Sequence, residues 1–152
     1  MSTSRRVTNE ISRDWTELYQ EKNSIYHLDL QPHSATFYMF LPGNYEPILI
    51  TLNFFHKAYP FKPPKVYIGI NKKEYISLLP TSWSFQKKIL GKKCLCCSSI
   101  LCKWGPHRTI MNIMNEIKEN FILKMRMMEI AHCRKIVEKK IGIDYLPIEE
   151  FL

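Results

Sequence analysis

Pro60, Pro63 and Pro64 fall within one short run, and they constrain this chain more than any other feature. Each removes a backbone donor and fixes a φ angle, so neither a helix nor a central strand can pass through. The run must be an elbow. The chain cannot continue a ladder there and turns in a defined way.

Upstream, residues 4–22 have helical periodicity. Val7, Ile11, Trp15 and Leu18 form one apolar stripe, while Arg5, Arg6, Glu10, Arg13 and Glu17 fall elsewhere. Four segments of strand character come next. Residues 24–30 alternate around Ile25, His27 and Asp29, and residues 35–41 carry Phe37, Tyr38 and Phe40. Residues 47–55 and, past the elbow, 66–70 complete the set, with Pro42-Gly43-Asn44 as a turn between the second and third. Residues 71–106 show no sustained period, which marks a functional loop in a chain of this size. Helical pattern returns at about Pro106. Ile110, Ile113, Met114, Ile117 and Phe121 make a core stripe, and Met125, Met128, Ile130, Ile136 and Val137 continue the apolar positions towards Gly142, as one bent helix or two. The methionines read as core filler. The expected fold is α+β: an N-terminal helix, a four-stranded antiparallel meander, a long loop, then C-terminal helices, in one domain over residues 1–152.

Composition narrows the function classes. At 152 residues and 18.1 kDa there is room for one core. With 45% hydrophobic and 24% charged residues, collagen-like, low-complexity and disordered classes are excluded. No apolar run approaches the ~20 residues of a membrane span, and the N-terminus lacks the apolar core of a signal peptide. A soluble protein of the cytoplasm or nucleus, without a membrane partner, is the expectation. Net charge is +8 and its excess is central: from Lys57 to Lys103 there are ten lysines against one acid, Glu74. Such a field attracts an acidic partner. Nucleic acid is not the expected one, because stacking platforms and a nucleic-acid motif are both missing.

Cys94, Cys96, Cys97 and Cys102 cluster in the unpatterned segment, and Cys133 stands apart. An odd count in such a chain argues against a disulfide framework. The cluster reads as catalytic, as a zinc site together with His107, or as small buried hydrophobes. For zinc, the spacing lacks paired Cys-x2-Cys knuckles. The five histidines share no spacing, and none stands out as catalytic.

The run Tyr59-Pro60-Phe61-Lys62-Pro63-Pro64-Lys65-Val66 resembles, residue for residue, a motif of ubiquitin-conjugating enzymes. Trp104-Gly105-Pro106 resembles that family's Trp-x-Pro, and the order of elements agrees over about residues 4–124. Residues 125–152 match only as a helical extension. The resemblance implies a UBC-like fold and a cysteine that accepts ubiquitin, or a ubiquitin-like modifier, as a thioester. It implies an activating enzyme and ubiquitin ligases as partners, and no cofactor. It puts Phe61, Trp104 and Pro106 on the partner-binding surface, with Arg5 and Arg6 of the basic first helix.

Two registers compete for the nucleophile. Gly91-Lys92-Lys93-Cys94-Leu95 resembles the family's Gly-x-x-Cys-Leu but requires a two-residue insertion before Trp104. Cys96 needs no insertion but loses the glycine. Cys94 is the favoured assignment, with Lys87, Lys88, Lys92, Lys93 and Lys103 supplying the positive charge that favours a thiolate. The family's His-Pro-Asn is replaced by Ser84-Phe85-Gln86 in that register, so Gln86 inherits the oxyanion role; with Cys96 the same place falls to Lys88. This departure keeps open a catalytically inactive variant that binds ubiquitin or a partner as a scaffold.

Overall fold

A computed structural model describes residues 3–43, 46–54, 58–79 and 98–141. The expected N-terminal helix is two: α1 (Thr3–Asp14) and α2 (Glu17–Asn23). The break comes at Thr16, whose backbone is extended and whose hydroxyl accepts from Tyr19 N–H at 3.3 Å, so it caps a new helix. Val7, Ile11 and Trp15 are buried as expected, whereas Leu18, on the far side of the break, is 75% exposed. The stripe ends where the helix axis changes.

Five antiparallel strands come next, in sequence order: β1 (Ile25–Gln31), β2 (Ser34–Met39), β3 (Ile48–Asn53), β4 (Lys65–Ile68) and β5 (Lys73–Glu74). The meander agrees with expectation, and β5 extends it by two residues from within the segment read as loop. The pairings Ala35↔Leu52↔Val66 and Phe37↔Ile50↔Ile68 carry the inner face, and Ala35, Phe37, Ile50 and Leu52 are fully buried. A bulge between His27 and Asp29 interrupts the β1 alternation and leaves Asp29 exposed. Gly69, at φ +79°, ends β4 in a turn.

Among the described residues, the helices after β5 are the short α3 (Tyr75–Leu78) and α4 (Ile110–Ile141), a single 32-residue helix. Its start is a reciprocal cap. Asn112 Oδ1 accepts from Thr109 N–H (2.9 Å), and Thr109 Oγ1 accepts from Asn112 N–H (3.3 Å). Ile110, Ile113, Met114 and Ile117 are fully buried against the sheet's inner face, with Phe121 packed beside them. The expected continuation beyond Phe121 departs from this pattern. Met128 (63%), Ile130, Ile136 and Val137 are exposed, while Met127 is buried. At ~48 Å, α4 outruns the sheet that covers its first half. Among the described residues no helix is long and apolar enough to cross a membrane.

Candidate functional site

The proline elbow is held from three sides. The Tyr59-Pro60 bond is cis, and the N–H groups of Phe61 and Lys62 both donate to Ala58 O, at 2.7 and 3.0 Å. Thr3 Oγ1 donates to Tyr59 O at 3.0 Å. Tyr59 itself is 3% exposed, its ring edge-on to Phe54, and its hydroxyl donates to Glu10 Oε2. Glu10 also accepts from Arg6 Nε (3.0 Å) and from Ile110 N–H (2.9 Å). One buried carboxylate thus joins α1, the elbow and the start of α4, where it faces the positive end of the helix.

Trp104 closes the third side. Its Nε1–H donates to Pro60 O at 2.7 Å and its ring leans on Tyr59 with centroids 5.9 Å apart. Behind it the chain turns through Arg108 N–H to Gly105 O at 3.0 Å. His107 lies against Gly105, so that a Cβ there would sit 2.7 Å from the imidazole and the exposed ring would have to turn aside. The elbow and the Trp-Gly-Pro turn are therefore one structural unit. Phe61, at 74% exposure, and Pro106, also exposed, are its outward-facing apolar residues. A large ring left in water at this turn contributes little to the core.

Beside the elbow lies an apolar cleft of about 330 Å³, lined by Phe54, Pro63, Val66, Ile76, Leu101 and Cys102, with Lys62 and Lys65 at its rim. Cys102 is exposed and carries a free thiol.

A second, half-buried carboxylate ties together the residues described on either side of 80–97. Glu116 Oε2 accepts from Ser99 Oγ (2.8 Å) and Tyr75 Oη (3.1 Å), and its Oε1 accepts from Ile100 N–H (2.8 Å). Asn120 Nδ2 donates to the same tyrosine hydroxyl at 2.7 Å. Tyr75, in α3, and Ser99 are thereby tied to one point on α4. Burial, and then the neighbouring carboxylates, push the hydroxyls of Tyr59 and Tyr75 well above the usual tyrosine range, so both remain protonated donors.

Of the site residues expected from sequence, the structure brings Phe61, Trp104 and Pro106 together. Arg5 is exposed on α1, and Arg6 is committed to its ion pair with Glu10. Cys94, Cys96, Cys97 and Gln86 lie outside the described residues, as do Lys87, Lys88, Lys92 and Lys93. Lys103 and His107 are exposed. Among the described residues no three His, Cys, Asp or Glu side chains gather as metal ligands. Glu10, assigned to the polar side of the first helix, is instead 1% exposed; Tyr75, Ser99 and Glu116 also went unnoticed in the sequence. The signal was available for both acids. Glu10 stands three positions after Val7 and Glu116 three after Ile113, so each sits on an apolar stripe. Comparisons with protein-family models, with curated proteins and with solved structures return no match.

Proposed function

We propose that the chain is a ubiquitin-conjugating enzyme of divergent sequence. The observation that supports this most is the Trp104–Pro60 hydrogen bond. The two segments that resemble the family are 44 residues apart in sequence, and they form one rigid surface with Phe61 and Pro106 outward. In the proposed reaction, the Cys94 thiolate attacks the C-terminal carbonyl of ubiquitin held as a thioester on the activating enzyme. A new S–C bond forms and the activating enzyme's thiolate leaves. A substrate amine or a ligase thiol then attacks the same carbonyl and the Cys94 sulfur departs. Gln86 donates to the oxyanion of each tetrahedral intermediate. The scaffold reading draws on Ser84-Phe85-Gln86 standing where the family carries His-Pro-Asn.

Incubation with activating enzyme, ATP and ubiquitin, followed by a non-reducing gel, separates these readings. The expected result is a reductant-sensitive adduct of one ubiquitin mass. Cys94→Ser is expected to make that adduct reductant-resistant, as an oxyester, while Cys96→Ser and Cys97→Ser leave it sensitive. A resistant adduct from Cys96→Ser would move the nucleophile to the other register. No adduct with ubiquitin or its relatives would remove the enzymatic reading in favour of the scaffold.

Phe61→Ala tests the docking surface. Because the ring is already in water, its loss leaves folding and charging intact. Ligase-stimulated discharge is expected to weaken by about 2 kcal/mol, or roughly 30-fold. Lost charging together with a lower melting temperature would instead make Phe61 a structural residue.

A further inference from the structure

Ten lysines crowd residues 57–103, and the five described among them, Lys62, Lys65, Lys72, Lys73 and Lys103, are all exposed. Among the described residues, none of these five side chains makes a hydrogen bond or an ion pair. They gather about the apolar cleft beside the elbow. Lys62 and Lys65 line it, while Lys73 and Lys103 adjoin its lining residues Glu74 and Cys102 in sequence. Glu74 is the single acid in that lining. Unpaired cations so placed raise the local positive potential, which an acidic occupant relieves. The walls are already formed. Pro63 and Pro64 have fixed φ angles, Val66 is 3% exposed, half-buried Ile76 and Leu101 complete the apolar lining, and the Trp104–Pro60 hydrogen bond holds the elbow. A preformed wall costs little ordering entropy when an apolar group enters. At about 330 Å³ the cleft is at the lower end of the ~300–1,000 Å³ that small-molecule sites span, which suits one bulky side chain.

We propose that this cleft docks an acidic polypeptide segment of a partner protein, which inserts one bulky apolar side chain and sets its flanking carboxylates against Lys62 and Lys65. Exposed lysine–carboxylate pairs are weak alone, so charge steers the segment and the apolar anchor retains it. A nucleic acid would satisfy the lysines but not the walls. The rings lining the cleft, Phe54 and Tyr59, are 5% and 3% exposed and offer no open face on which a base could stack. A second copy of the chain carries the same net charge of +8 and is repelled overall. Docking here calls on no ubiquitin chemistry.

Fluorescence anisotropy with the full chain tests this, using a short labelled peptide of aspartates and glutamates around one phenylalanine. Binding is expected to weaken at least about tenfold when that phenylalanine becomes alanine, as on loss of an interface anchor. The double variant Lys62→Glu, Lys65→Glu is expected to bind about tenfold more weakly at an unchanged melting temperature, because both lysines are exposed. The bound peptide is also expected to slow alkylation of Cys102 about fivefold, read at that residue by mass spectrometry, since its thiol is exposed at the cleft. This readout needs no variant, so it stands even if charge reversal unfolds the chain. Equal binding of the alanine peptide would leave only a charge contact, and an unprotected Cys102 would place the peptide elsewhere. Tighter binding of a labelled oligothymidine, with Cys102 protected, would make the occupant a nucleic acid. Each of these outcomes overturns the proposal, as do full affinity in a folded double variant and the absence of binding at ~1 mM peptide.

Discussion

Replacing Glu10 by alanine is expected to destabilise the protein by about 2–6 kcal/mol, because two buried donors lose the acceptor they share at ~1–3 kcal/mol each. Those donors are the Tyr59 hydroxyl and the Ile110 N–H. Arg6, whose side chain is 29% exposed, can turn to water and adds little. Against a typical domain stability of ~5–15 kcal/mol this is a large fraction. The double variant Glu10→Ala, Tyr59→Phe should be more stable than the sum of its single changes, since it removes one orphaned group. Denaturant unfolding of the four proteins makes the check, and a loss below about 1 kcal/mol for Glu10→Ala would mean that water replaces the carboxylate. The functional effect comes from geometry. Tyr59 is both the residue that Glu10 holds and the ring on which Trp104 rests, so the variant loosens the surface that presents Phe61.

Alkaline pH supplies the second large effect. In the unfolded chain Tyr59 and Tyr75 ionise near pH ~10, whereas in the folded protein both hydroxyls are held far above that by burial and by the carboxylates they face. Below pH ~10 both states keep the proton and full stability is present. Above it the unfolded state gains charge that the folded state refuses, so stability falls by about 1.4 kcal/mol per pH unit for each tyrosine, close to 3 for the pair. Thermal unfolding at stepwise pH above ~9 measures this slope. Tyr59→Phe should remove about half of the tyrosine contribution; a slope identical to that of the native chain would show that Tyr59 ionises freely when folded.

The elements that sequence periodicity revealed are those whose partners are generic. Ile110, Ile113, Met114 and Ile117 pack against a sheet face, and any sheet face suffices, so a 3.6-residue period locates them without knowledge of what lies opposite. The strands and the elbow were legible for the same reason. The break at Thr16 was harder to see because the apolar stripe continues in register through Leu18, and only the capping role of Thr16 marks the new helix. The β5 strand is two residues long, too short for any period to register. Glu10 and Glu116 were missed because their partners lie on other elements, up to 100 residues away in sequence. A carboxylate on an apolar stripe signals a buried network, but its members become known only when the chain is folded. Phe61 shows the reverse case: resemblance implied an outward place for it, and its ring is 74% exposed.

Glu116 also bears on how long the neighbouring chain can be. By gripping Tyr75 and Ser99 at a single carboxylate, it fixes the two points from which residues 80–97 depart and to which they return. Once the ends of a loop are fixed from outside, the entropy of closing it depends only logarithmically on how many residues it contains. Going from about sixteen to about eighteen residues between such ends changes that entropy by about 0.1 kcal/mol. The helix bears the cost of holding the ends. A two-residue change of length between Tyr75 and Ser99 is therefore nearly neutral for folding.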